Sequence, residues 1–266
     1  MMEAFADWFK TRVLRLPMLA SEHGQTVDDM LVYVHWLMFG LFLGWMVYLL
    51  FVLVRFHHSR QPRAYAAGPR THFTSWLEGG VVLVEAVLLI GFSIPLWAKM
   101  VTNPPEDAEA TVIRVMGRQF NWVAHYAGED GVMGRQDPAL SSASDPFGLD
   151  RVNDPAAMDD VVVQGTIVVP VDRPVAIHLT ALDVIHSFAV PAMRITQDAI
   201  PGLSIPFWFT PVKTGEYKIV CAQLCGSSHY GMFGVLKVVT LEEYEAWLSE
   251  QSQRARAAFE PPVSYE

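Results

Sequence analysis

Cysteine is almost absent from this chain of 266 residues: Cys221 and Cys225 are the only two. Two cysteines cannot build a disulfide-rich scaffold, and with no Cys-x2-Cys-His anywhere the chain carries no covalent c-type haem. Charge is scarce as well, at 18 % of residues, against roughly 25 % in average globular usage. Basic charge is the scarcer kind: 19 Lys and Arg face 28 Asp and Glu, a net charge of −9. That argues against a nucleic-acid partner, which wants a basic face. There is no internal repeat. With 52 % hydrophobic residues, disordered, collagenous and coiled-coil chains are also excluded.

Apolar side chains are abundant and concentrated in two blocks. Leu31 to Val54 is 24 residues without Asp, Glu, Lys or Arg. As a helix it reaches about 36 Å, enough for a hydrocarbon core of about 30 Å. Gly79 to Ala98 is a second block of 20 residues with one acid, Glu85. A buried soluble helix is the alternative for each. It is weak for the first block and stronger for the second, since a mid-membrane carboxyl costs about 2.5–3.5 kcal/mol on insertion scales. Neighbouring Val, Leu and Ile offset that cost, and Glu85 can face another protein helix. The connection from Arg55 to Leu77 carries Arg55, Arg60, Arg63 and Arg70 and no acid. By the positive-inside rule it is cytoplasmic, which puts both termini and everything after Lys99 outside.

The first 24 residues lack the basic start and apolar stretch of a signal peptide, with Glu3 and Asp7 in the way. Phe5, Trp8, Phe9, Val13 and Leu16 share a helical face, so a short interfacial helix is expected. Cleavage near Ala20 is the alternative.

After Pro104 the pattern changes to short segments rich in Val, Ile, Phe and Thr, bounded by Gly, Pro or Asp. Strands are expected at 111–115 running into Gly117–Trp122, and at 161–163, 166–169, 176–181, 187–190, 207–210, 216–221 and 234–239. Gly128 to Asp154 is poor in β-formers and reads as a long surface insertion, functional or mobile. Thr240 followed by Glu243 is a capping box, predicting a helix over 241–257 with a loose tail behind it. The expected organisation is an interfacial segment (1–24), a two-helix transmembrane hairpin (25–102), an all-β Greek-key domain (103–240), and a C-terminal helix and tail (241–266).

The chemistry is concentrated in Cys221-Ala-Gln-Leu-Cys225-Gly-Ser-Ser-His229-Tyr-Gly-Met232, with His186 upstream in Asp183-Val-Ile-His186-Ser-Phe-Ala-Val-Pro191. Thiolate, imidazole and thioether form a soft ligand set that favours copper over magnesium, calcium or manganese. One Cys, two His and a weak Met would make a blue-copper site; two thiolates on one loop could instead bridge two coppers, leaving one His for each. Zinc is the rival metal, though Met is a poor ligand for it. A Cys221–Cys225 disulfide is the rival without metal, and it leaves His229 and Met232 unexplained. His35, His125 and His178 read as packed histidines.

These residues, with Asp198-Ala-Ile-Pro-Gly202 and Gly117-Arg-Gln-Phe-Asn-Trp122, resemble subunit II of haem-copper cytochrome c oxidases over about residues 25–245. The resemblance implies a cupredoxin-like domain holding a dinuclear copper centre, CuA. It implies that Cys221 and Cys225 bridge the coppers, that His186 and Met232 complete one, and that His229 and the backbone carbonyl of Gln223 complete the other. It also implies that electrons come from a c-type cytochrome or a haem c domain on another chain. They would pass to haem in subunit I, within a proton-translocating oxidase of several subunits in a bacterial inner membrane. This subunit would do electron transfer alone.

The sequence departs from the family at two positions. The family more often has Glu where Gln223 stands, reaching a magnesium or manganese ion shared with subunit I; a neutral amide is a poorer ligand for a hard cation. Phe120 stands where the family has the Trp through which electrons come in. Trp122 lies two residues on, on the same face of a strand, and is either the substitute port or core packing. Glu78 matches a family acid near a proton-uptake route, or is a plain interfacial acid. From Asn103 to Asp160 there are 11 acids and 4 arginines, a solvated loop or an acidic face steering a basic cytochrome. Two other readings remain. A copper-free quinol oxidase subunit II would lack the cysteines, and a membrane-anchored copper chaperone would need exchangeable, exposed ligands.

Overall fold

The computed structural model describes residues 7–63, 72–102, 104–106 and 109–259; Phe5, Arg70 and the end of the expected tail, 260–266, lie outside them. The chain divides into two compact units, one of residues 1–16 and 26–99, the other of residues 17–25 and 100–266.

The first unit is helical. Helix α1 covers Gly24–Arg55. Helix α2 covers Phe73–Leu88 and continues through a π-helical turn, Leu89–Ser93, into α3, Ile94–Thr102. Two helical stretches, Gly24–Arg55 and Phe73–Lys99, are long and apolar enough to cross a membrane, and the apolar window of each is unburied within the chain. Both are longer than their apolar blocks, because polar ends such as Gln25, Asp28 and Asp29 extend the helix without belonging to its hydrocarbon-length core. Arg55 therefore closes α1, and Phe73–Leu77 open α2 rather than belonging to the connection. Among the described N-terminal residues, helical structure covers Asp7–Val13. There Phe9 stacks on Trp36 at 5.6 Å, and Lys10 Nζ reaches Asp29 Oδ1 at 2.7 Å.

The second unit is a β-sandwich. Its strands are β1 Thr111–Arg118, β2 Asn121–Tyr126, β3 Val161–Gln164, β4 Thr166–Pro170, β5 Val175–Ala181, β6 His186–Val190, β7 Ile195–Ala199, β8 Ile205–Phe209, β9 Gly215–Cys221 and β10 Phe233–Val239. They form two five-stranded sheets, ordered β3-β2-β1-β5-β8 and β4-β10-β9-β6-β7. The pairs β1–β5 and β4–β10 are parallel, and the other pairs are antiparallel. In β1 and β5 buried residues strictly alternate with half-exposed ones, as expected of strands with one face on a core. Ile113, Val115, Trp122 and Tyr126 from one sheet meet Ile167, Phe188, Ile219 and Leu236 from the other in a single core. The capping box forms: Thr240 N–H donates to Glu243 Oε2 at 2.9 Å and Glu243 N–H to Thr240 Oγ1 at 3.2 Å. Helix α4 then runs Leu241–Phe259.

Three expectations change. The chain turns at Gln119-Phe120, so β2 is a separate strand and Phe120 and Trp122 do not share a strand face. No Gly or Pro marks that turn, which is why the sequence reads as one run. Strand β7 goes unseen because its middle, Thr196-Gln197-Asp198, is polar; it forms the outer strand of its sheet. The 128–154 insertion is folded down onto the domain. Phe147, Leu149 and Ala157 pack on Val123 as a second small core. Its carboxylates accept backbone N–H groups, as Asp145 does from Phe147 and Leu149. Asp150, Asp159 and Asp160 are buried, and Asp160 pairs with the buried His125 at 2.7 Å. The local excess of acid is therefore largely structural. Of the other two packed-histidine readings, His35 and His178 are only half-buried.

Residues 17–25 belong to the β unit. Ala20 N–H donates to Ala192 C=O at 2.9 Å, Val212 N–H to Ala20 C=O at 2.8 Å and Glu22 N–H to Thr210 C=O at 3.0 Å. Ser21 Oγ donates to Met193 C=O at 2.6 Å, and Ala20 is wholly buried. This strap, where cleavage near Ala20 is the alternative the sequence leaves open, is bonded chain on both sides of Ala20.

Candidate metal centre

The β9–β10 connection carries five of the six expected ligands, and the first residue of β6 carries the sixth. Cys221 ends β9, His229 opens a short 3-10 turn, and Met232 immediately precedes β10. The hairpin folds this connection back on itself, because β9 and β10 pair antiparallel with Phe233 opposite Val220. His186 arrives from β6, which pairs with β9 through Phe188 and Cys221.

The six donors converge. Cys221 Sγ lies 3.7 Å from Cys225 Sγ, 3.9 Å from His186 Nδ1 and 3.1 Å from the Gln223 carbonyl oxygen. Cys225 Sγ lies 3.6 Å from His229 Nδ1 and 3.7 Å from Met232 Sδ. Both cysteines are free thiols. The ligand atoms of His186, Cys221 and Cys225 all fall within 4.8 Å of one another. His186, Cys221, Cys225 and Met232 are buried, His229 is half-buried, and the Gln223 side chain points to solvent. Burial, and then the neighbouring Cys221 sulfur, push the Cys225 thiol up to about 11. A metal held by Cys225 would have to displace that proton.

Three neighbours fix this cluster. Asp183 Oδ1 faces His186 Nε2 at 2.8 Å. A carboxylate accepts, so Nε2 carries the hydrogen and Nδ1 presents its lone pair to the sulfurs, as in carboxylate–histidine–metal arrangements. Burial raises the Asp183 carboxyl, but N–H groups of Gln119 and Val184 and the His186 ring outweigh it, leaving it below its usual range. Gln119 binds twice: its N–H donates to Asp183 Oδ2 at 2.7 Å and its Nε2 to the Cys225 carbonyl at 2.6 Å. The β1–β2 turn is thus clamped to both ligand-bearing segments. Gly226 makes the clamp possible. Its φ is +138°, and a Cβ there would sit 2.7 Å from Gln119 Nε2 and 3.1 Å from Phe120. The sequence motifs contain Asp183 and Gln119 but give them no role. An acid three residues before a ligand His was the available signal for the first; nothing marks the second before the turn is known.

Gln119→Ala should free the Cys225 carbonyl while keeping the backbone N–H that Asp183 accepts, and it removes none of the six donors. We expect metal affinity to drop on the order of 10–100-fold, as for other residues that orient ligands. Competition with a copper chelator measures it, and an unchanged affinity would show the clamp to be idle.

The other expected site residues lie elsewhere. Trp122 is wholly buried, edge-on to Phe188 at 5.1 Å and to the His186 ring at 6.0 Å. A fully buried indole cannot touch a docked protein, so its contacts are those of packing beside a ligand. Phe120 is half-buried at the turn. Glu78 is exposed in the second turn of α2, in the other unit. The ligand-bearing segments also expose apolar side chains, among them Leu182, Ile185, Leu224 and the fully exposed Tyr230.

Comparisons with known proteins bear on the family of the chain. A family model described as cytochrome c oxidase subunit II, periplasmic domain, matches residues 111–239. The alternative cytochrome c oxidase subunit 2 of Bradyrhizobium diazoefficiens is 33 % identical over 249 residues, covering 93 % of this chain and 85 % of that protein. Cytochrome c oxidase subunit 2 of Cereibacter sphaeroides is 32 % identical over 219 residues, 76 % of this chain and 68 % of that protein. Among solved structures, the periplasmic domain of subunit II of cytochrome oxidase (CoxB) of Bradyrhizobium japonicum is similar. It is 28 % identical with a TM-score of 0.41, over 57 % of this chain and 97 % of that one. With a two-helix apolar segment, a β-sandwich and a His/Cys/Cys cluster in place, the chain belongs to the cytochrome c oxidase subunit II family, an oxidoreductase component of the haem-copper oxidases.

Proposed function

We propose that this subunit holds a dinuclear copper centre, CuA, and carries electrons singly from a c-type cytochrome to haem on another oxidase subunit. One observation carries the reading: two free thiols 3.7 Å apart, each within 4 Å of one imidazole, with a thioether and a backbone carbonyl beside them. The donor set is soft throughout except for one backbone oxygen, which suits copper and leaves little for a hard cation. When bound, copper held by Cys221, Cys225, His186, His229, Met232 and the Gln223 carbonyl would supply a one-electron couple.

The chain's own part is to keep that geometry rigid. Asp183 fixes the tautomer and plane of His186, Gln119 ties the Cys225 carbonyl to the β1–β2 turn, and Trp122 packs against the His186 ring. Gly117 leaves room for both rings, since a Cβ there would meet His186 Cδ2 and Trp122 Cζ3 at 3.0 Å. The exposed apolar rim supports docking of a partner protein close to the ligands, with Phe120 and the β1–β2 turn as the electron port. Gln223 offers a neutral amide and no carboxylate, a poorer ligand for a magnesium or manganese ion shared with subunit I. The four arginines between the apolar blocks support a cytoplasmic connection and a β unit on the periplasmic side of a bacterial inner membrane. Glu78 is retained as the candidate for proton uptake.

Copper loading of the whole chain in detergent tests the proposal. Two copper ions per chain with a near-infrared band are expected. One zinc ion, or one labile copper, would overturn it, the latter in favour of a copper-delivering role. No bound metal would favour a copper-free quinol oxidase subunit.

A further inference from the structure

We infer that Glu85 is a contact point inside the membrane: it anchors a transmembrane helix of another oxidase subunit that brings a hydrogen-bond donor to the same depth. The inference rests on the chain being one subunit of a larger oxidase. Glu85 stands about 18 Å along the helix from Phe73 and about 21 Å from Lys99, at 1.5 Å per residue. Counted from the ends of the apolar block Gly79–Ala98 it lies about 9 Å and about 20 Å in, so it is inside the hydrocarbon layer and nearer the end that opens α2.

Its side chain lines a groove of about 250 Å³ between α1 and α2, whose other walls include Leu37, Leu41, Trp76 and Val84. All of those walls are apolar. Among the described residues Glu85 has no hydrogen bond or ion pair, and it is exposed. Three ionisable side chains of the helical unit are engaged elsewhere: Lys10 pairs with Asp29, and His35 Nδ1 bonds the Leu31 carbonyl. The backbone around Glu85 is satisfied too, since its carbonyl accepts from Leu89 N–H at the start of the π-helical turn. What remains is one carboxyl to which no donor is bonded, in an otherwise apolar groove.

Ionisable side chains at this depth almost always face protein or a water-filled cavity rather than lipid. The groove offers a few side chains' worth of room beside Gly80, so a neighbouring helix can approach and insert one polar group. A wholly apolar partner, or lipid alone, would leave the carboxyl uncompensated.

Two substitutions in the full complex separate the outcomes. Glu85→Leu removes the acceptor and keeps an apolar helix, so the chain should still reach the membrane and load two coppers. It should recover at least five-fold less haem-bearing subunit when purified through a tag on this chain. Glu85→Gln keeps a carbonyl acceptor and should recover the partner to within two-fold of wild type. Haem recovery with the unsubstituted chain tests the oxidase assignment itself; the difference between Leu and wild type tests Glu85. Equal recovery with Leu overturns the inference, and so does a Gln variant as poor as Leu. If the Leu variant fails to accumulate, a photo-cross-linker in place of Leu37, across the groove, decides in its stead. Capture of another oxidase subunit supports the inference, and capture of lipid or of a second copy of this chain overturns it.

Discussion

Cys225→Ser should abolish the two-copper signal while leaving the β unit folded. Cys225 is 4 % exposed and its sulfur is close to three other donors, Cys221, His229 and Met232. Serine occupies nearly the same space, but its oxygen is a far weaker bridge between soft metals. We expect copper content to fall from two ions to one or none, with loss of the near-infrared band and of the delocalised mixed-valence signal. Electron uptake from the cytochrome should fall by orders of magnitude. The cost to the fold is a hydroxyl in a buried place, about 1–3 kcal/mol if it stays unpaired. For a domain of this size that lowers the melting temperature by several degrees. Absorption, paramagnetic resonance and metal analysis on one preparation check all of this. A variant that still holds two coppers with the wild-type spectrum would show that the sulfurs do not share the metals.

Trp122→Leu should act first on stability. The indole is wholly buried between the sheets, against Phe188 and the His186 ring. Large-to-small changes in such places cost about 2–5 kcal/mol, and the lost edge-to-face contacts add roughly 0.5–1.5 kcal/mol. The copper spectrum should shift as well, because the ring that keeps His186 upright has gone. Slower electron uptake in this variant would then follow from a disturbed ligand. Thermal melting of the metal-free protein separates the causes: an unchanged midpoint together with slow uptake would return Trp122 to the role of electron relay. No hydrogen-bond partner for its Nε1 is found among the described residues. Trp122→Phe, which removes that buried N–H, should therefore be milder than Leu.

Much of this was legible before any coordinates. The two apolar blocks announce themselves by length alone, and the β-strands follow from Val, Ile and Thr between Gly, Pro and Asp. The ligand loop is legible because its chemistry is local: five of the six donors fall between Cys221 and Met232. What stayed hidden depends on turns and long-range pairing. Gln119-Phe120 carries no turn signature, so the reversal there, and the clamp it creates, could not be read. The acids of 103–160 are legible as charges but not as caps. Asp145 and Asp154 accept backbone N–H groups, and Asp160 pairs with His125. A charge tally cannot distinguish a carboxylate that steers a partner from one that closes a turn.

The strap at residues 17–25 bears on how the chain must be assembled. Ser21 finds its acceptor, Met193, 172 residues later. At about 5–20 residues per second, synthesis leaves the strap waiting roughly 10–30 s for its partner to exist. During that interval both apolar helices have to be inserted. Docking of the strap is consequently among the last events of folding, and it closes a loop that contains the whole membrane hairpin. A fragment beginning at residue 104 skips that step. Its Ala192, Met193 and Thr210 carbonyls lose their partners in the strap, and the Val212 N–H loses its acceptor. Such a fragment reports on the copper ligands, but its unfolding midpoint is that of an open edge the intact subunit never presents.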